Sequence, residues 1–240
     1  MSLEPSEPPR RFYKEVTLEP RPQGVAVLLD GRALKTPAKQ LFLAPTQAAA
    51  ELAAAEWASQ GERILPAAMP VTRLLNVALD RAPETRAALA AEVARYAETD
   101  LLCHLADEAS ELREREEANW APLRAWAAET LGVRLEPVAG VVARPQRPES
   151  LAAAHDRALA LDDVRLVTLA HATALLGSVI LGFALVNGRL GAEAAFAASR
   201  IDETYQEEQW GADAEASERA EGLREELVVI EALLAALDRG

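Results

Sequence analysis

The sequence predicts an α+β protein, with a small antiparallel β-rich N-terminal domain over residues 1–65 and a larger all-α domain over residues 66–240. Three observations predict it. Strand-forming runs are confined to residues 12–45, where Asp30-Gly31 falls between two apolar runs. Asp-Gly in that setting signals a hairpin, because both turn residues take positive φ. From residue 46 onward the apolar positions recur at helical spacing. Aromatics make up only 5% of a chain that is 50% hydrophobic, so Ala and Leu supply most of the core, a composition that favours helix.

The β region reads as Phe12–Leu18, then Gly24–Pro37, which holds two short runs joined at Asp30-Gly31, then Gln40–Pro45. A unit of this size is too small to be stable alone and must pack on the helices after it. Pro45-Thr46 opens a helix to about Ser59, with Thr46 as N-cap, Leu52, Glu56 and Ser59 on one face, and Trp57 beside Ala53 and Ala54. Gly61 ends that segment, and Pro66 and Pro70 bracket an extended link. The next helix, Pro70–Arg81, turns Val71, Leu74, Leu75, Ala78 and Leu79 inward and leaves Thr72, Arg73, Asn76 and Asp80 on the other face.

Pro83 starts a helix whose stripe is Leu89, Val93 and Tyr96, continuing into Thr99–Leu105. Residues 107–118 are almost wholly charged and read as a solvated loop or helix face. Trp120, Leu123, Trp126, Ala127 and Leu131 form an apolar helical face closed by Gly132. Val133–Val142 supplies one or two short strands. Leu166–Val186 then runs 21 residues without a charge, the length of a membrane span. His171, Thr168, Thr173 and Ser178 interrupt it, so it reads as a central buried helix, not a span, with Gly177 and Gly182 allowing close packing. After Gly191 comes a short helix. From Ala216, the residues Ala220, Leu223, Leu227, Ile230, Leu234 and Leu237 continue a heptad seam packed inside the domain.

The net charge of −13 is lopsided: residues 1–82 carry +1 and residues 83–240 carry −14. An acidic second half makes nucleic acid a poor partner and suits a basic protein surface, or solubility alone. One cysteine, Cys103, excludes an internal disulfide and a cysteine metal set. Residues 1–11 have neither the apolar core of a signal peptide nor the amphipathic pattern of a mitochondrial presequence.

Motifs for nucleophilic catalysis, phosphate loops, dinucleotide binding and zinc proteases do not occur. The nearest metal-like cluster is Asp100, His104, Asp107 and Glu108. It supports an alternative reading as a small metal-dependent enzyme using Asp100, His104 and Glu108, against a cap or polar helix face. A second alternative is a membrane-associated adaptor through residues 166–186. His171 reads as a hydrogen-bonded core histidine and Cys103 as a buried small apolar residue.

The most distinctive stretch is Ser199–Arg219. It sets Tyr205 and Trp210 among seven carboxylates, with Arg200 and Arg219 its only basic residues. Trp210-Gly211 breaks one helical pattern before the next begins. Aromatics mixed with acids at a helix break make a binding edge, a charged helix cap, or both. Glu203 and Glu207 lie one turn apart. They lack the cleft signature of paired catalytic carboxylates, so the test of this stretch is binding and not turnover.

Six segments in order carry a resemblance: Arg11-Phe-Tyr-Lys-Glu-Val, Leu29-Asp-Gly-Arg-Ala-Leu-Lys-Thr-Pro-Ala, Glu56-Trp-Ala-Ser-Gln, Met69-Pro-Val-Thr-Arg-Leu-Leu-Asn-Val-Ala-Leu-Asp, Tyr96-Ala-Glu-Thr-Asp-Leu-Leu and Gln209-Trp-Gly-Ala-Asp. Together they resemble the assembly chaperone family of the F-type ATP synthase catalytic sector, from about residue 11 to 237. The resemblance implies a β-rich domain followed by an all-α domain, no catalytic residues, no metal and no cofactor. It implies a partner, the unassembled alpha subunit, held until the beta subunit replaces it. Glu56 and Trp57 fall in the family's Glu-Trp segment. Glu203, Glu207, Trp210 and Gly211 fall in its acidic Trp-Gly segment, with Tyr205 and Asp213 beside them as partner-binding candidates. A cytoplasmic bacterial protein, monomeric, without stable membrane insertion, is the expectation. Exchange must stay reversible, so micromolar affinity is expected, about −8 kcal/mol.

Overall fold

The computed structural model describes residues 7–107, 110–140, 142, 144–211 and 213–239. It divides into two compact units, Met1–Arg81 with Ala232–Gly240, and Ala82–Glu231.

The first unit holds the sheet. Strand β2 (Gly24–Leu29) is central, with β1 (Val16–Arg21) antiparallel along its whole length, from Val16 opposite Leu29 to Arg21 opposite Gly24. Strand β3 (Arg32–Ala33) pairs with one end of β2 and β4 (Leu43–Ala44) with the other. The Asp-Gly hairpin forms as its chemistry requires, with φ of 48° at Asp30 and 73° at Gly31. Strand β1 lies later than its apolar run suggests and takes in Pro20. Proline donates no hydrogen bond, and β1 is an edge strand where that is tolerated. Residues 9–11 instead bond to Glu62 and Ile64. Gly24 is required, because a Cβ there would run into the carbonyl of Ala44.

Helix α1 (Gln47–Ala58) lies on β1 and β2 through Ala49, Ala50 and Ala53, whose small side chains let the backbones approach closely. The Thr46 Oγ1 accepts from the Ala49 N–H at 3.1 Å and donates to the Ala236 carbonyl at 2.8 Å. The end of the last helix therefore belongs to this unit, with Leu233, Leu234, Ala236 and Leu237 buried. Residues Pro66–Ala68 form a 3-10 turn instead of an extended link, and α2 (Pro70–Asp80) comes next. Both ends of α2 are tied to this unit: Glu56 bonds its first turn, and Asp80 accepts from the Ala38 N–H at 2.9 Å. For that reason the division falls after Arg81, not after residue 65 as the sequence suggests. Thr72, expected on the polar face of α2, is only 3% exposed because its hydroxyl bonds Glu56.

The second unit contains α3 (Ala82–Tyr96), β5 (His104–Leu105), α4 (Glu111–Trp126), β6 (Val138–Ala139), α5 (Pro148–Leu159), α6 (Asp163–Leu176), α7 (Val179–Val186), α8 (Ala192–Ser199), α9 (Ile201–Trp210) and α10 (Ala214–Leu237), the last running on into the first unit. Helix α3 packs on α5 and α6, α6 on α7, and α4 on α9. Helix α3 stops at Tyr96, short of the continuation to Leu105 that its pattern suggests, because Asp100 takes an extended conformation and caps the turn Leu101–Cys103. His104 and Leu105 then pair in parallel with Val138 and Ala139.

The uncharged run is two helices, not one. Gly177, at φ 63°, ends α6, and Ser178 starts α7 by accepting from the Leu181 N–H at 3.1 Å. Close packing at Gly182 does occur: a Cβ there would lie 3.3 Å from both Thr173 Cα and Leu169 Cδ1. Among the described residues, no helix is long and apolar enough to cross a membrane. Along α10 the seam is buried at Leu227, Ile230, Leu234 and Leu237, but Ala216, Ala220 and Leu223 are only half-buried. Those three face a groove.

Candidate functional site

Helices α9 and α10 meet at Gly211, whose φ of 90° and ψ of 154° end α9. The turn forms because glycine takes a positive φ that other residues resist. Between the two helices lies a groove of about 520 Å³. From α9 its wall carries Glu203, Gln206, Glu207 and Trp210, spaced i, i+3, i+4 and i+7 and therefore on one face. From α10 come Ala216, Arg219, Ala220 and Leu223, on the same spacing. The groove is thus acidic along α9 and, apart from Arg219, apolar along α10, with Trp210 at its edge, 78% exposed.

The charges in it are unequally committed. Glu207 is bridged to Arg200 at 3.1 Å. Arg219 pairs with Glu215 one turn back on α10, at 2.5 Å. Asp213 caps α10, its Oδ2 accepting from the Ala216 N–H at 3.3 Å and its carbonyl from the Ser217 hydroxyl at 2.9 Å. Glu203 makes no ion pair among the described residues, so its carboxylate is the groove's uncommitted charge. The acidic Trp-Gly stretch is therefore both things its composition allows: a helix cap at Asp213 and an exposed edge at Glu203 and Trp210.

Tyr205 does not line this groove. It lies on the opposite face of α9, with the guanidinium of Arg115 5.3 Å from its ring centre. Arg115, on α4, also bridges Glu208 at 2.7 Å, so Tyr205 and Glu208 join α9 to α4.

Glu56 and Trp57 belong to the first unit. The Glu56 carboxylate accepts from the N–H groups of Val71 and Thr72 and from the Thr72 hydroxyl, at 2.7 to 2.8 Å. Burial raises its pKa above the usual glutamate value, and the bonds to Thr72 and Val71 and the charge of Arg73 oppose that. The Trp57 carbonyl accepts from the Tyr13 hydroxyl at 2.7 Å, the two rings lying 5.7 Å apart. This pair is built into the fold of the sheet unit.

Asp100, of the metal-like cluster, is built into the fold in the same way. Asp100 is fully buried and accepts from the Leu102 and Ile180 N–H groups and the Ser178 hydroxyl, so it caps the turn after α3 and the start of α7 together. His104 is placed in β5, and Glu108 lies outside the described residues. No group of three His, Cys, Asp or Glu side chains stands ready to hold a metal ion among the described residues. Cys103 is 2% exposed, and burial, with the Asp100 charge adding, pushes its thiol up to about 12. His171 is not a core histidine: half-buried, it meets Glu226 of α10 at 3.0 Å.

The charged stretch 107–118 is not wholly a solvated face, because Glu116 within it is 1% exposed. Its carboxyl bonds the Ala106 N–H at 2.8 Å and meets Asp202, in the first turn of α9. The sequence carries a signal for this: Leu112, Glu116, Trp120, Leu123 and Ala127 form one stripe at helical spacing, which puts Glu116 four residues before the fully buried Trp120.

Known proteins share this architecture. The model of the family described as ATP12 chaperone protein matches residues 10–128. The crystal structure of Atp12 from Paracoccus denitrificans is 38% identical and superposes with a TM-score of 0.89 over 95% of this chain and 98% of that one. The Agrobacterium tumefaciens protein Atu1473 is also 38% identical, with a TM-score of 0.87 over 95% of this chain and 86% of that one. The mitochondrial protein atp12 of Schizosaccharomyces pombe is 27% identical over 221 residues, 87% of this chain and 76% of the relative.

Proposed function

Because the chain belongs to the ATP12 chaperone family, the assembly factors of the ATP synthase, we propose that its client is the unassembled alpha subunit of the F-type ATP synthase, which it shields until the beta subunit takes its place. The observation that carries the reading is the α9–α10 groove, with Trp210 at 78% exposure beside the uncommitted carboxylate of Glu203. A holder of an aggregation-prone subunit needs an apolar anchor with a polar rim, and charge that steers without locking. The α10 stripe and Trp210 supply the anchor, and Glu203, Glu207 and Asp213 the rim. Glu56 and Trp57 support the reading indirectly, through the stability of the sheet unit. The site of action is the bacterial cytoplasm, where the alpha subunit is made.

The test is co-expression with a lone alpha subunit. The chaperone keeps it soluble, and Glu207→Lys combined with Trp210→Ala lowers that yield while the chaperone stays folded. No rescue by the wild-type chain rejects the client. Full rescue by a folded double variant moves the site away from the groove.

A further inference from the structure

Two acidic side chains face each other inside the second unit. Glu116, on α4, is 1% exposed. One of its oxygens accepts from the Ala106 N–H at 2.8 Å, and its carboxyl faces that of Asp202 on α9. The Asp202 Oδ1 is itself buried and, with both carboxyls ionised, receives no donor from the described groups. Two ionised carboxylates in contact away from water repel, and a buried acceptor without a donor costs stability as well. A single proton between them removes both problems.

We propose that Glu116 is a positioning residue for the groove: its carboxyl carries a proton that it donates to Asp202 Oδ1, and this shared proton fixes the first turn of α9 against α4. Asp202 immediately precedes Glu203, which lines the groove, so the pair sets where the acidic wall stands. The value of that placement rests on the function proposed for the groove; the proton itself does not.

The surroundings agree. Burial is the main force raising the Glu116 pKa, the Asp202 carboxyl adds to it, and the Ala106 N–H and the Arg113 charge oppose it, leaving a value of about 7. Arg113 shares α4 with Glu116, donates to the Ala106 carbonyl at 2.7 Å and lies 3.8 Å from Glu117. Arg115, the other cation of that helix turn, is engaged by Glu111 and Glu208. Among the described residues between β5 and α4, the Ala106 backbone meets Glu116, and on α9 Asp202 does. A carboxyl with a raised folded-state pKa contributes stability that is full below the ordinary glutamate value and is lost as pH rises through about 7. Above that, two carboxylates repel and the first turn of α9 loosens, while the exposed Arg115–Glu208 bridge still ties α9 to α4.

The test compares the full-length wild type with Glu116→Gln, whose amide still accepts from Ala106 and donates to Asp202 but does not titrate. Amide exchange in α9 is read at the same pH in both proteins, which cancels the intrinsic pH dependence of exchange. Exchange is expected to be equal at pH 5.5 and roughly three- to tenfold faster in the wild type at pH 8, a tenfold change corresponding to one pKa unit. The Glu116 carboxyl resonance, assigned by its absence from the variant, is expected to titrate near 7. A pH-independent exchange ratio, or titration at the ordinary glutamate value, overturns the proposal. Should Glu116→Gln not fold, Asp202→Asn provides the same decision. Its amide donates to an ionised Glu116, so the Glu116 titration must move down, and no movement overturns the shared proton. None of these readouts involves a client.

Discussion

Glu56 closes the first turn of α2 from outside the helix through Thr72, the Glu56 Oε2 accepting from both the backbone N–H and the hydroxyl of Thr72 at 2.8 and 2.7 Å. Helices leave their first N–H groups without internal partners, and here Pro70 provides none to satisfy while Glu56 takes the next two. Glu56→Ala strips the carboxylate from three donors and is expected to cost about 2–4 kcal/mol, given about 1–3 kcal/mol for each buried donor left unpaired and partial rescue by water. Glu56→Gln, which keeps one acceptor oxygen, costs less. Chemical denaturation measures both. Loss of client holding in Glu56→Ala should track this loss of stability.

Trp210 behaves oppositely. At 78% exposure it has little native packing to lose. Trp210→Ala is expected to change stability by less than about 0.5 kcal/mol, as surface substitutions do. It should weaken alpha-subunit binding by about 2 kcal/mol, the scale of an aromatic hot spot. Tyr205→Ala is the matched control: it removes the ring under Arg115 and leaves the groove wall intact. Calorimetry or light scattering against the isolated subunit separates the two. Equal losses of binding would place the contact on the α4 side of α9.

Asp100 gives a pH signature. Burial outweighs its hydrogen bonds from Ile180, Ser178, Leu102 and Val179 and lifts its pKa to about 6. The raised value means the folded protein holds this proton more tightly than the unfolded chain does. The associated stability is full below the ordinary aspartate range and lost as pH rises through about 6. Asp100→Asn does not titrate and turns one acceptor into a donor among donors. Its deficit relative to wild type is expected to be about 1–3 kcal/mol, the cost of a mispaired buried polar group, largest near pH 4 and smaller by pH 7. Denaturant midpoints at the two pH values check the sign.

The legible parts of the chain are those where one local rule acts alone. Asp30-Gly31, Thr46, Gly132 and the buried Val71, Leu74, Leu75 and Ala78 of α2 all read correctly because turn, cap and helical period are set by neighbours in sequence. The groove is legible as composition: Trp210-Gly211 announces the break, and the carboxylates announce an acidic wall. Which face of α9 each residue takes is not, because that depends on α4, some 90 residues earlier. Tyr205 looks like a binding aromatic for the same reason. Asp100 and Glu116 mislead because a carboxylate near other charges suggests a solvated face or a metal ligand. Their actual partners are backbone N–H groups, a serine and another carboxylate, brought together by tertiary packing. Gly177-Ser178 reads as a packing glycine and a polar interruption, although αL glycine followed by a capping serine is the ordinary way to end one helix and begin the next.

Gly182 separates a packing role from a flexibility role within that apolar run. It sits inside α7, where glycine costs about 1 kcal/mol relative to alanine by propensity alone, so on local grounds Gly182→Ala should stabilise the protein. Its surroundings argue the reverse. An added Cβ would press on Thr173 Oγ1 and stand 3.3 Å from Thr173 Cα, which is backbone and cannot swing away, and from Leu169 Cδ1. Helices α6 and α7 would have to separate, and the fully buried Leu169, Ile180 and Leu181 lie along that contact. Overpacking of this kind costs about 1–3 kcal/mol. The net expectation for Gly182→Ala is a loss of about 0–2 kcal/mol after the propensity gain is subtracted. Gly182→Ala combined with Thr173→Ser should recover part of it, since serine lacks the methyl group and turns its smaller side chain more freely. Thermal or denaturant unfolding of the single and double variants decides the matter: a stabilised single variant would show that propensity, not contact with α6, governs this position.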